Sequence, residues 1–396
     1  MINVWSNYGD QSSIDPMKTI SLGDLTPKNF LQNYWQKKPL LVRNALPGFQ
    51  GLLSRDALKK LAIQEDVQSR LIIQKRGNWS VKQGPLTKRD FFNLKKSQWT
   101  LLVHDVNHYL SSARDLLSKF SFIPHARLDD LMVSYAPKGG GVGPHYDSYD
   151  VFLLQGAGSR RWQISAQQDD SLIADAPLKI LKDFRSEQEW LLESGDMLYL
   201  PPNYAHNGVA ENDCMTYSIG FRAPSHQELV TQFLVYLQDH FEVDGWYCDP
   251  DMQLQTHPAK ISRAMTNQTR TILNKIKWRS LDIEIFLGIY LTEPKAHIFF
   301  RQPFDPLTQD IFLQQIKENG VQLDLKSRML ISGNNNLFLN GEVYPMRLDM
   351  HPLLVKLADQ QMLFICDDYD LNEETGSLLY QWYVNGYVAV GNADIH

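Results

Sequence analysis

The chain has 396 residues, 43% of them hydrophobic and 21% charged, with a net charge of −6. That length exceeds one ordinary domain, so two or three domains with a substantial core are expected, in the composition range of soluble globular proteins. It holds no apolar run of about 18 residues, which argues against a helical membrane span. Met1–Ser6 lacks the charged-then-apolar pattern of a secretion signal. Cys214, Cys248 and Cys366 are too scattered for a disulfide framework, and a reducing cytoplasmic location is expected. The charge is uneven. Ser54–Phe120 carries 13 Lys/Arg against 6 Asp/Glu, while residues 293–396 carry 7 against 14. A solvated basic face is the plainer reading of the first stretch, and docking near RNA the sharper one.

Residues 1 to about 125 read as mixed short strands and helices. Pro39–Arg43 has the pattern of a strand, and Ser54 caps a helix over Ser54–Leu61. His104 and His108 are four apart and could share a helix face, but without a third ligand they are read as structural. A glycine run, Gly139–Gly143, follows, of the kind that lets backbone pass close to a bound ligand. After Pro144 come His145, Tyr146 and Asp147. On a strand, His145 and Asp147 point to one face. His206 lies 61 positions beyond His145, far enough to return on a neighbouring strand. Two imidazoles and one carboxylate, with open positions opposite, are the ligands of non-haem Fe(II) oxygenases. The flanks are hairpin-like. Asp150–Leu154 is an apolar strand, Gly156–Gly158 a turn, Arg160–Ile164 a returning strand, and Gly195–Pro202 a turn, strand and stop. Such hairpins around metal ligands suit a small double-stranded β-helix barrel.

The stretch from about Asp129 to Arg222 resembles the JmjC-type 2-oxoglutarate oxygenases, and among them the bacterial ribosomal oxygenases that hydroxylate an arginine of a large-subunit ribosomal protein. The match is carried by Asp129–Tyr135, Gly139–Asp147, Tyr149–Phe152, Gly158 with Arg160-Arg161-Trp162, and Leu200-Pro201-Pro202 with His206. The resemblance implies Fe(II) on His145, Asp147 and His206, with 2-oxoglutarate and O2 as cosubstrates and no catalytic group beyond the metal ligands. Related enzymes carry a Lys or Arg at the position of Arg160 to hold the far carboxylate of 2-oxoglutarate, a task suited to a planar guanidinium. Ser134 is expected to add a hydroxyl there. Arg161 has the opposite strand parity and should face away. Asp130 and Met132 share one parity. In the arginine hydroxylases the positions matching Asp130, Met132 and Tyr149 hold the substrate arginine, whereas histidine-hydroxylating relatives have asparagine in place of Met132. Met132 as core filler and Tyr149 as barrel packing remain open.

Beyond the barrel, Ser225–Glu228 is a capping box, and Leu229, Phe233, Leu237 and Phe241 form one apolar stripe. Further helices are expected over Ala259–Lys277 and Leu281–Leu291. The resemblance implies that this block is a dimerisation module; packing back onto the barrel is the alternative. The last hundred residues read as a helix over Leu307–Lys317 stopped at Asn319-Gly320, a hairpin over Leu337–Tyr344 turning at Asn340-Gly341, a helix over Glu373–Val384 and a strand over Gly386–Val390. The expected whole is an α+β chain. Residues 1–224 form the barrel with its N-terminal buttress, 225–292 the helical dimerisation block, and 293–396 a winged-helix-like domain too acidic for direct DNA binding.

The leading reading is an Fe(II)/2-oxoglutarate-dependent hydroxylase acting on an arginine, at Cβ, of a large-subunit ribosomal protein, with succinate and CO2 as coproducts. Its partners are that protein and a second copy of the chain, with no membrane. The alternatives are a ribosomal-protein histidine hydroxylase, an N-methyl demethylase, and a non-catalytic cupin-like scaffold. A scaffold would not need the keto-acid anchor at Arg160.

Overall fold

The computed structural model describes residues 19–75, 77–333, 336–346, 351–365 and 371–391; Met1–Ser6 and Cys366 lie outside the described residues. Contacts group the chain into two compact units. One comprises residues 1–223, 294–327 and 352–396, and the other residues 224–293 and 328–351. No helix among the described residues is long and apolar enough to cross a membrane.

The first unit is built on strands β1 (Leu40–Val42), β2 (Ser69–Lys75), β3 (Asn78–Gln83), β4 (Trp99–Val103), β5 (Leu128–Ala136), β6 (Asp150–Gln155), β7 (Arg160–Ser165), β8 (Gln188–Leu192), β9 (Met197–Leu200), β10 (Ala205–Ala210) and β11 (Cys214–Phe221). They form a large sheet of order β1-β9-β6-β11-β5-β4-β2-β3 and a small one of order β10-β7-β8, antiparallel throughout. This is the expected double-stranded β-helix.

Period-two alternation assigns each strand two jobs. On β6, Phe152 and Leu154 join the main apolar core with Leu131, Val133 and Tyr199, while Val151 and Leu153 join a second cluster with Trp162, Ile164 and Leu198. On β5 the residues that alternate with Leu131 and Val133, namely Asp130, Met132 and Ser134, line a cavity instead. The main core is thickened by α1 (Pro27–Asn33), α2 (Arg55–Ala62), α3 (Lys88–Phe92) and α4 (Ser111–Ser118). Phe30 of α1, fully buried, packs edge-on against Tyr199 at 4.9 Å between ring centres and against Phe152 at 5.6 Å. Ser54 caps α2 as expected, its hydroxyl accepting the Ala57 N–H at 3.2 Å.

In the second unit, α5 (His226–His240), α6 (Arg263–Leu273) and α7 (Ser280–Thr292) precede α8 (Gln309–Asn319) of the first unit. Ser225 caps α5 through the Glu228 N–H at 3.0 Å, while the Glu228 carboxylate accepts from Tyr290 Oη at 2.5 Å. The stripe Leu229, Phe233, Leu237 is the partly covered side of α5, and Phe233 meets Phe286 of α7 at 5.2 Å and Trp278 at 5.7 Å. Phe241 is the C-cap. In the first unit α8 is followed by β12 (Val321–Leu323). The second unit then takes β13 (Met329–Ile331), β14 (Asn336–Leu339) and β15 (Glu342–Pro345). The β14–β15 turn has Asn340 at φ 53° and Gly341 at φ 87°, both left-handed as an Asn-Gly hairpin turn requires. This sheet lies against α7 so closely that a Cβ on Gly288 would come within 2.4 Å of the Phe338 ring. The remaining α9 (His351–Gln360), β16 (Met362–Leu363), α10 (Glu373–Val384) and β17 (Val388–Val390) belong to the first unit, with a small sheet of order β16-β12-β17. Gly320 stops α8 at φ 83°, as expected.

Candidate active site

His145 and His206 meet through a pair of backbone hydrogen bonds, each N–H donating to the other's carbonyl at 3.0 Å. Each imidazole is then fixed the same way. His145 Nδ1 lies 2.9 Å from Gly143 O and His206 Nδ1 3.0 Å from Tyr204 O, so each ring carries its proton on Nδ1 and leaves Nε2 bare. Asp147 completes the group, its carboxylate oxygens 3.9 Å from His145 Nε2 and 3.5 Å from His206 Nε2. One ligand atom from each of the three lies within 4.8 Å of the others. Burial, and then the neighbouring His145, lower the His206 pKa to about 4. At neutral pH it is therefore a neutral imidazole whose Nε2 is free to bind a cation. A small hard or borderline cation of the iron type suits two imidazoles and a carboxylate.

The glycines ahead of His145 serve another purpose than the one expected of them. A Cβ on Gly140 would sit 2.2 Å from Trp99 O, and one on Gly141 2.6 Å from Gly208 O. The backbone passes close to the protein's own strands, and this crossing brings His145 to His206.

These three side chains open into a cavity of about 420 Å³ whose wall includes Arg160, Ser134, Asp130, Met132 and Tyr149. The structure thus gathers every site residue expected from sequence. Arg160, only 3% exposed, points inward over Trp162 at 5.8 Å, with Nη2 3.7 Å from Cys214 Sγ and a buried Nε that has no hydrogen-bond partner. A buried guanidinium among groups that do not neutralise it is suited to an incoming carboxylate. Arg161 faces the other way and pairs with Glu189 at 2.7 Å and Glu211 at 2.6 Å. Ser134 is buried, with its hydroxyl 3.4 Å from Thr216 O.

At the acidic side, β5 carries one more residue than β11. Ile219 pairs with Leu131 and Phe221 with Leu128, which leaves Gly220 facing a bulge at Asp129-Asp130. Bulges re-aim side chains beside active sites. A Cβ on Gly220 would lie 3.1 Å from Asp130 Oδ1 and 3.8 Å from Tyr149 Cε2, so the glycine keeps a slot open between carboxylate and ring. Burial first, and then Asp147, Asp130 and Asp129, raise the Tyr149 pKa, so the phenol stays protonated. Sequence reasoning missed Gly220, Arg70 and Thr216 as cavity residues, and left His104 as structural although it lines the cavity.

Residues 115–229 match the model of the JmjC domain, and residues 276–389 that of the ROXA-like winged helix. The ribosomal protein uL16 3-hydroxylase of Escherichia coli is 32% identical over 315 residues, covering 79% of this chain and 84% of that protein. The chain belongs to the JmjC-type ribosomal oxygenases. A probable ribosomal oxygenase of Haemophilus influenzae is 40% identical to this oxygenase over 247 residues, 61% of this chain and 59% of that one. The structure of YcfD, a ribosomal oxygenase from Escherichia coli, in complex with cobalt and 2-oxoglutarate superposes with a TM-score of 0.80 at 30% identity, covering 94% of this chain and 99% of that one.

Replacing Asp147 by Ala removes the charged member of the trio and leaves the barrel's packing intact. The Asp147→Ala protein is expected to lose the thermal shift given by Mn(II) with 2-oxoglutarate and to keep its wild-type far-UV spectrum. Near-normal 2-oxoglutarate turnover would refute the ligand assignment. Arg160→Ala should raise the Kd for 2-oxoglutarate about a hundredfold or more, because breaking a buried ion pair costs about 3–5 kcal/mol. Arg161→Ala, on the solvent side, should change it by less than about threefold.

Proposed function

We propose that this oxygenase binds Fe(II) through His145, Asp147 and His206 and uses 2-oxoglutarate and O2 to hydroxylate an arginine of a ribosomal protein at Cβ. The uL16 3-hydroxylase relative supports the choice of target and carbon. Bound iron would supply the oxidation, coupled to conversion of 2-oxoglutarate to succinate and CO2. The chain's own residues do the rest. Arg160, helped by the Ser134 hydroxyl, holds the far carboxylate of 2-oxoglutarate. Asp130 accepts guanidinium N–H groups, and Tyr149 and Met132 flank the flat cation. A ribosomal substrate implies a cytoplasmic location.

The observation that carries this reading is the slot at Gly220, bounded by Asp130 Oδ1 and the Tyr149 ring in the same cavity as the metal-ligand trio. A planar cation fits such a slot better than a round ammonium. A uL16-derived arginine peptide is expected to gain one oxygen, and its lysine counterpart to react poorly. Asp130→Asn should weaken peptide binding about tenfold to a hundredfold, the range for losing hydrogen bonds to a charged group, with 2-oxoglutarate binding unchanged. Normal peptide binding by Asp130→Asn, or preference for a histidine peptide, would sink the arginine assignment.

We also propose a two-fold homodimer formed through the helical block of residues 225–292. The apolar stripe of α5 is engaged with α7, but Val230, Leu234, Trp246, Met252, Leu254 and Ile261 remain 53% to 101% exposed, Trp246 at 95% and Leu254 at 101%. Such a concentration of exposed apolar side chains marks a protein contact. Light scattering at micromolar protein should give twice the chain mass, and Trp246→Glu with Leu254→Glu should halve it. A monomer mass for the unmodified protein would remove the proposal.

A further inference from the structure

Asp130 is held by its surroundings without being neutralised by them. Its Oδ2 is approached from the turn that follows β4: it accepts the Asp105 N–H at 3.4 Å and lies 3.5 Å from His104 Nδ1. Its Oδ1 is the oxygen that faces Gly220 and the slot. Among the described residues, no lysine or arginine lies within 4 Å of it. Lys295 feels the Asp130 charge but makes its contacts with other carboxylates, 2.8 Å from Asp105 and 3.4 Å from Asp129. One carboxylate oxygen is thus anchored and the other left able to accept from a cation.

The turn that does the anchoring is left-handed: Asp105 has φ 52° and ψ 33°, a conformation that aspartate adopts more readily than most non-glycine residues and that is held here by its neighbours. Those neighbours are identifiable. Lys295 Nζ donates to Asp105 Oδ1 at 2.8 Å, and His297 Nε2 lies 3.6 Å from Oδ2. Gln68 Nε2 stands 3.1 Å from His297 Nδ1, which turns the opposite face of that ring toward Asp105. Two residues on, Asn107 Oδ1 accepts the Leu131 N–H at 2.9 Å, clamping the turn to β5 next to the bulge. Asp105 is 2% exposed; burial opposes its charge, but Lys295, His108 and His297 outweigh it and leave its pKa lowered. Losing Lys295 would strand a buried carboxylate, which must then protonate or move out.

We infer that His104 and Lys295 are positioning residues for the substrate-facing carboxylate: Lys295 locks the left-handed turn at Asp105, and that turn aims the Asp105 amide and the His104 ring at one oxygen of Asp130. The inference rests on the reading of Asp130 as the group that takes the substrate cation. It makes the segment just after α7, far from the barrel strands in sequence, part of the specificity of the pocket. Among the described residues no hydrogen bond or ion pair links His104 or Lys295 to His145, Asp147, His206 or Arg160, so the effect is expected on the prime substrate and not on 2-oxoglutarate.

The test measures the Kd of the uL16-derived arginine peptide and that of 2-oxoglutarate on Mn(II)-loaded protein. The proteins are wild type, His104→Leu, Lys295→Met and Lys295→Arg, with the first two substitutions repeated in an Asp130→Asn background. His104→Leu and Lys295→Met should each raise the peptide Kd about tenfold, with the 2-oxoglutarate Kd unchanged. Lys295→Arg should restore most of the loss. Neither substitution should add to the defect of Asp130→Asn, because both act through that carboxylate. Wild-type peptide binding by His104→Leu and Lys295→Met, or effects that multiply with that of Asp130→Asn, would overturn the inference while leaving the arginine reading in place. An unchanged peptide Kd in Asp130→Asn alone would overturn both. Should Lys295→Met fail to fold, as a lost 2-oxoglutarate affinity would reveal, His104→Leu decides alone.

Discussion

The mutual backbone hydrogen bonds between His145 and His206, at 3.0 Å each, are the constraint on which the rest of the site depends. Metal ligands far apart in sequence are useful only if their rings converge, and an imidazole on a free side chain does not hold its orientation. Here the bridge joins the two backbones, and each Nδ1 is tied to the carbonyl two residues earlier. The two residual rotations are thereby removed and both Nε2 atoms face Asp147. The close glycine crossings at Gly140 and Gly141 are the steric condition for that bridge, since any side chain there would push the His145 segment away from β10.

Opposite charges are kept apart around this centre. Arg160 is buried beside Trp162 and Cys214, while Asp130 and Tyr149 flank Gly220. A buried ion pair between them would stabilise the empty protein at the expense of both ligands, because each incoming charge would first have to break it. Separation leaves each charge able to meet a ligand of the opposite sign, as the proposed roles of Arg160 and Asp130 require. The free protein then carries a desolvation cost that ligand binding offsets, and ligands should stabilise the fold accordingly.

What was legible in the sequence follows from how local its physics is. The ligand trio, the inward Arg160 beside the outward Arg161, the Ser54 and Ser225 caps and the Asn340-Gly341 turn all depend on spacing of a few residues or on strand parity, and each has its expected placement. Residues whose meaning depends on which strands are neighbours were not legible. The glycine run looks like a ligand cradle until the carbonyls of Trp99 and Gly208 are seen beside it. The α5 stripe looks like an interface until Phe286 and Trp278 are found against Phe233. His104 gives no local sign of its proximity to Asp130, because the contact is set by the β4–β5 pairing and by a left-handed residue just beyond it.

The bulge at Asp129-Asp130 joins these threads. In a regular ladder adjacent residues alternate between core and cavity, so two neighbouring aspartates could not both serve one site. The extra residue opposite Gly220 breaks the alternation at one point, between the pairs Leu131–Ile219 and Leu128–Phe221. Asp129 is then within 3.4 Å of Lys295 and 3.7 Å of Arg222, while Asp130 turns one oxygen to the slot. Glycine on the partner strand at this point leaves room for the Asp130 carboxylate, which a Cβ would crowd at 3.1 Å. A barrel that is otherwise a regular alternating ladder therefore places its irregularity where its chemistry needs a charge to be aimed, and the residues that hold the irregularity in place come from outside the ladder.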